Sequence, residues 1–253
     1  MSTDTIRLKV TTLSNLFIGS APTTYEIGGV DLYTVTDYEG RPYIPASSFK
    51  GALRNIVRDL IRHKADSIAV KIGERIGEAY KKYLNSLLQD NLQRAEMMGL
   101  DSEQVSKMKE RYEKEQESAT AECLFGMEGF NHTPKLIFSD LKLADTASDG
   151  NVDSWDDLFS IDSKNSLDYS EQSGHPQVSA NPRTYKTVRP GVEFTGEILL
   201  YMMDRLTVSS DEIKTFIEHA AEQLNTGIYR LGNSGSRGYG RVRLEIIRER
   251  DAS

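Results

Sequence analysis

The sequence predicts an α+β fold in which two helices pack on one face of an antiparallel sheet. Three observations predict it. Alternating apolar residues open the chain at Ile6, Leu8 and Val10 and close it at Val242, Leu244 and Ile246. Two stretches with helical spacing, one from Ser47 or Ser48 and one after Ser209, lie between these ends. Glycine and proline turns separate further short apolar runs, as antiparallel strands require.

The elements follow in order. The first strand, Ile6 to Val10, shows one apolar face. A Gly28-Gly29 turn leads to LYTV and RPYIP on either side of DYEG, which reads as a hairpin. Ser47 or Ser48 is placed to cap the first helix, whose apolar stripe is Phe49, Leu53, Ile56, Val57, Leu60 and Ile61. Lys50, Arg54, Arg58 and Arg62 recur every four residues and form a basic stripe on the same helix. Lys64 to Ser118 is charged and helix-forming, and reads as two or three helices inserted into the core, with a seam at Leu84, Leu87, Leu88 and Leu92. KLIF is a buried strand. RTYKTVR and VEFTGEILLYM are strands around Pro190-Gly191. Ser209-x-x-Glu212 is a capping box for the last helix, whose inner stripe runs from Ile213 to Leu224. The resulting order of strands and helices is the ferredoxin-like plan.

Composition narrows the function classes. With 38% hydrophobic and 27% charged residues the chain matches a soluble globular protein, and no apolar run is long enough for a membrane helix. The start, MSTDTIRLKV, has no signal-peptide pattern, and Cys123, the single cysteine, has no partner for an internal disulfide. A reducing, cytoplasmic setting is expected. The net charge of −7 is concentrated between Asp140 and Glu171, where nine carboxylates face only Lys142 and Lys164. That segment reads as an acidic loop. The rest of the chain is neutral on average with basic stretches, so a polyanionic partner is compatible with the charge.

Four stretches carry chemistry. The first, LGNSGSRGYGRVR (Leu231 to Arg243), holds four glycines and three arginines without a carboxylate. It follows a helix and precedes a strand, the reverse of a nucleotide-binding glycine loop. Gly232, Gly235, Gly238 and Gly240 allow close backbone approach, and Arg237 supplies a guanidinium fork for phosphate; a flexible solvated turn is the plain alternative. The second, GRPYIPASSFKGALR, places Ser47, Ser48, Lys50 and Arg54 at a helix N-terminus, a site suited to anions or simply a capped helix with a solvated face. In the third, IGGVD, Asp31 follows two glycines; it is either turn chemistry or a carboxylate beside a bound phosphate, acting as base or Mg²⁺ ligand. The fourth, NPRTYKTVRPGVEF, interleaves Arg183, Lys186 and Arg189 with Tyr185, a mixture fitting a nucleic-acid backbone and a base face, or an exposed hairpin. His63, His132, His175 and His219 lack metal-ligand spacing, and no Walker or GxSxG motif is present.

IGGVD, YIPASSFKGALR, CLFG, FSDLKL, NPRTYKTVRPGVEF and LGNSGSRGYGRV, in that order, resemble the RAMP superfamily of CRISPR proteins, and most of all the repeated backbone subunit of type III (Csm- or Cmr-type) effector complexes. Neither the stretch 64–118 nor the acidic stretch is covered by the likeness. The resemblance implies a modified ferredoxin-like (RRM-like) palm made of residues 1–63 and 119–253, a helical insertion at 64–118 and a β-hairpin thumb within about 165–195. It implies that protomers stack along a guide RNA, and that Ser47, Ser48, Lys50, Arg54, Arg183, Lys186, Arg189, Gly232, Gly235, Arg237, Gly238 and Gly240 contact RNA. It further implies Asp31- and Mg²⁺-dependent cleavage of a complementary target RNA at regular intervals, by attack of a 2′-hydroxyl on the adjacent phosphate, with Asp31 as base, metal ligand or positioning group. The implied partners are guide RNA, target RNA and other effector subunits, including copies of itself. A paralogous subunit that binds or caps the guide without cutting is the alternative, and a guide-processing endonuclease of the same superfamily is a third.

Overall fold

The computed structural model describes residues 4–19, 31–63, 67–144, 154–172 and 175–248. The architecture is mixed α+β. Strands β1 (Thr5–Thr12), β2 (Leu32–Tyr33), β3 (Lys135–Phe138), β4 (Lys142–Leu143), β5 (Phe159–Gln172), β6 (His175–Val188), β7 (Glu193–Tyr201) and β8 (Val242–Ile247) combine with helices α1 (Ala46–His63), α2 (Ile68–Met97), α3 (Ser102–Ser118) and α4 (Ser210–Glu222). One sheet has the order β3-β7-β1-β8, with β4 also on β7; the other has the order β2-β6-β5. No helix among the described residues is long and apolar enough to cross a membrane.

The chain divides into two compact units. One comprises Met1–Ile6, Leu53–Phe138 and Ile198–Ala221; the other comprises Arg7–Ala52, Ser139–Glu197 and Glu222–Ser253. In the first, β3 runs antiparallel to the end of β7, from Lys135 opposite Tyr201 to Phe138 opposite Ile198. The predicted helical stretch forms two helices, α2 and α3. Leu84 and Leu88 are buried on α2, and Asn91 donates to the Tyr112 hydroxyl of α3 at 2.7 Å. Tyr80 is fully buried and donates to the Pro134 carbonyl at 2.8 Å. Half of the expected capping box of α4 forms: Glu212 N–H donates to Ser209 Oγ at 3.3 Å, while the Glu212 carboxylate accepts from the Ser209 hydroxyl at 3.1 Å; Ile213, Phe216, Ile217, Ala220 and Ala221 are buried.

In the second unit, β1 and β8 pair antiparallel from Arg7 opposite Ile247 to Thr12 opposite Val242. Apolar alternation puts Leu8, Val10, Val242 and Leu244 inside. The DYEG turn closes with Asp37 N–H donating to the Arg41 carbonyl at 2.9 Å, but the expected hairpin is reduced to one bridge, Thr36 to Pro42. Pro42 has no N–H with which to extend a ladder. Three further expectations change. Helix α1 begins at Ala46, so neither Ser47 nor Ser48 is its cap; Asp140 Oδ1 instead accepts the Ala46 N–H at 2.7 Å and brings a negative charge to the positive helix end. The acidic stretch is not a loop throughout. Its second half is β5, paired antiparallel with β6 from Phe159 opposite Val188 to Gln172 opposite His175. Tyr185, read as a base-stacking side chain, is instead buried, its ring edge-on to Phe17 at 5.3 Å between centroids.

Candidate functional site

Asp31 stands immediately before β2; the rest of its motif, residues 27–30, lies outside the described residues. Two residues of β2 suffice to fix it, because they pair in parallel with β6, Leu32 opposite Tyr185 and Tyr33 opposite Lys186. The pairing brings Asp31 against Thr184. Asp31 N–H donates to the Thr184 carbonyl and to Thr184 Oγ1, both at 3.1 Å. In return Thr184 N–H donates to Asp31 Oδ2 at 2.6 Å and the Thr184 hydroxyl donates to the same oxygen at 3.0 Å. Asp31 is exposed. The Thr184 N–H, then its hydroxyl, and to a smaller degree the positive charge of Arg183, hold the carboxyl below the usual carboxylate range.

The residues next to this pair form the apolar footing. Phe17, Tyr185 and Tyr239 are buried together, with Leu32 packed on them. Tyr239 belongs to the glycine loop, so the cluster joins the aspartate motif, the basic strand and the glycine loop. A polar link adds to it. Asp162 Oδ2, on β5, accepts from the Tyr239 hydroxyl at 2.6 Å and from Asn15 Nδ2 at 2.8 Å. Burial and the Asp162 carboxylate raise the Tyr239 phenol far above its ordinary pKa.

The glycine loop is folded onto its own chain at two places. Leu231 N–H donates to the Gly240 carbonyl at 2.9 Å and Gly240 N–H to the Asn15 carbonyl at 2.8 Å. A Cβ on Gly240, at φ +71°, would sit 1.9 Å from the Leu231 carbonyl oxygen; one on Gly232, at φ +73°, would sit 2.3 Å from that of Phe17. These two glycines serve backbone-to-backbone approach within the protein. Gly238 is different: nothing lies within 4 Å of its would-be Cβ. Exposed Arg237 precedes it, and both edge an open cleft of about 450 Å³ with Asn15, Asp162 and Tyr239.

The predicted cations divide into two kinds. Arg183 and Arg189 are exposed. Lys186 is paired with Asp156 at 2.7 Å and lies 4.5 Å from the centroid of the Phe159 ring. On α1, Ser47 is exposed, while Ser48 and Lys50 are half-buried in the first turns. No hydrogen bond among the described residues joins Ser47 or Ser48 to Asp31 or to the glycine loop. Arg54 donates to the Gly126 carbonyl at 3.1 Å and lies 5.9 Å from the centroid of the Phe125 ring, and Arg58 chelates Glu122 with bonds of 2.8 and 3.0 Å. The basic stripe is therefore partly neutralised by the chain itself. Asp31 offers one carboxylate to a cation, and no group of three or more His, Cys, Asp or Glu side chains among the described residues could hold a metal ion. That donor set fits a hard divalent cation sharing its shell with water and substrate phosphate, not a protein cage.

Sequence reading missed Thr184, Asp162 and Tyr239. Thr184 adjoins a basic residue in a recognised motif, but its partner is 153 residues away.

A family model described as the RAMP superfamily matches residues 9–243. Among solved structures, the chain is similar to one in the cryo-EM structure of the Type III-B Cmr-beta bound to cognate target RNA, at 19% identity and a TM-score of 0.50. The likeness covers 97% of this chain and 61% of the other, so this chain spans less than two-thirds of that neighbour, and at such identity it bears on the fold alone. No curated protein matches. With 235 consecutive positions under the family model, the chain belongs to the RAMP superfamily.

Proposed function

We propose that this chain is the guide-RNA-binding backbone subunit of a type III CRISPR effector complex, and that Asp31 makes it an endoribonuclease acting on complementary target RNA. The observation that carries the proposal is the exposed Asp31 carboxylate, fixed on β6 beside exposed Arg183. Membership in the superfamily and the fold-level likeness to a Cmr-beta chain bound to target RNA support the setting. In this reading residues 1–63 and 119–253 are a ferredoxin-like palm, 64–118 the insertion, and the β5–β6 hairpin the thumb.

Arg183, Arg189 and Arg237 are exposed cations for phosphates, and Gly238 admits an RNA backbone beside Arg237; Gly235, whose Cβ position lies 3.0 Å from the Arg230 side chain, is proposed as a contact through its backbone. Ser47, Ser48, Lys50, Arg54 and Lys186 are proposed as further RNA contacts. For Arg54 and Lys186 those contacts compete with their bonds to Gly126 and Asp156. In the cutting step the target 2′-hydroxyl attacks the adjacent phosphorus. The bond to the 5′ oxygen breaks; the 2′ proton leaves to a base, Asp31 or solvent water, and the 5′ oxygen takes one from water, leaving a cyclic phosphate and a 5′-hydroxyl. Asp31, exposed and ionised, is assigned to acting as base, holding a divalent cation or positioning the reacting groups. Asp31 would hold the Mg²⁺, which when bound would neutralise charge developing on the phosphate.

The experiment is Asp31→Ala in the assembled complex. Loss of target cleavage with guide and target binding retained is expected. Unchanged cleavage would leave the non-cutting RAMP subunit as the reading.

A further inference from the structure

We infer that Thr184 is a positioning residue for Asp31, its backbone N–H and hydroxyl together fixing the carboxylate through one oxygen, Oδ2. The inference rests on Asp31 being the residue required for cleavage. Four hydrogen bonds join the two residues, two in each direction: Asp31 N–H to the Thr184 carbonyl and Oγ1, and the Thr184 N–H and hydroxyl to Asp31 Oδ2. An exposed aspartate samples several rotamers; two charge-assisted donors on one oxygen select one. The other oxygen is thereby presented in a constant direction, and a reacting group gains from such fixed orientation.

The support extends outward from Thr184. Its neighbour Tyr185 is buried against Phe17, and β6 is paired on one side with β2 and on the other with β5, Ser163 standing opposite Thr184 itself. Thr184 therefore transmits to Asp31 the rigidity of a strand with neighbours on both sides. The hydroxyl is the part that a substitution can remove while the backbone donor stays.

The test uses the complete effector complex carrying Thr184→Val, Thr184→Ser or Asp31→Ala. It measures target-RNA binding and the single-turnover cleavage rate separately. Thr184→Val keeps the side-chain shape and deletes the hydroxyl. It is expected to slow cleavage about tenfold with target binding unchanged. Thr184→Ser restores the hydroxyl and is expected to recover the rate. If Thr184→Val cleaves at the original rate while Asp31→Ala is inactive, positioning by Thr184 is overturned and the role of Asp31 stands. If Thr184→Ser is as slow as Thr184→Val, the hydroxyl is not the operative group and the inference is again overturned. If Asp31→Ala cleaves normally, the reading on which the inference rests fails first.

Discussion

Replacing Gly240 with alanine tests how the glycine loop is built. At φ +71° an alanine is in the left-handed region, which costs about 1–2 kcal/mol for a residue with a Cβ. The added carbon would lie 1.9 Å from the Leu231 carbonyl oxygen, a backbone atom that cannot rotate away. Relief requires moving one strand of the loop neck, at the roughly 1–3 kcal/mol typical of overpacking. Movement also lengthens the 2.9 Å bond from Leu231 N–H to the Gly240 carbonyl, worth about 1 kcal/mol. The sum is about 3–6 kcal/mol, a large part of the roughly 5–15 kcal/mol that holds a protein folded. Gly238 is the control. Its φ is +91° with nothing within 4 Å, so Gly238→Ala carries only the left-handed cost of about 1–2 kcal/mol. For a chain of this size 1 kcal/mol shifts Tm by about 2–4 °C, so Gly240→Ala should melt at least about 4 °C below Gly238→Ala. Thermal unfolding followed by circular dichroism reads the difference. Equal melting temperatures for the two variants would refute the assignment of Gly240 to internal packing and Gly238 to the open side.

Other outcomes follow from the same geometry. Tyr239→Phe removes the donor to Asp162, a bond to a charged group worth about 1.5–3 kcal/mol, and should lower Tm measurably at pH 7. Because the folded-state pKa of Tyr239 is raised, its contribution is complete below pH 10 and declines above it. The original protein should therefore lose stability faster than Tyr239→Phe as pH rises past about 10, in thermal melts across pH. Asp140→Ala removes the acceptor for the Ala46 N–H and should destabilise by about 1 kcal/mol, read by chemical denaturation. Arg183→Ala should reduce the slope of log binding constant against log salt for single-stranded RNA by about 0.7, if this exposed cation meets one phosphate.

The legible parts of the fold were those with a local period. β1, β8 and α4 were readable because burial imposes alternation on strands and three-to-four spacing on helices; the Ser209–Glu212 box even marked where α4 starts. β5 was not readable. Its run SIDSKNSLDYSEQ has little apolar alternation, and the strand is made by its ladder to β6. The start of α1 was misread because its cap comes from Asp140, 94 residues away. The site divides similarly. Asp31, Arg183 and the glycine loop were visible as local composition, and their convergence follows from Phe17, Tyr185 and Tyr239, whose burial together no local pattern encodes. Arg54 read as a free cation because a helix face does not reveal the carbonyl of Gly126 opposite it.

The most direct measurement is to tag the protein in its native host, purify it gently, and sequence the RNA that accompanies it. A guide-holding backbone subunit should bring down several other effector proteins and short RNAs that share a repeat-derived 5′ end. Recovery of the protein alone and free of RNA would contradict the proposed function and return the exposed arginines to the role of solvated surface charge.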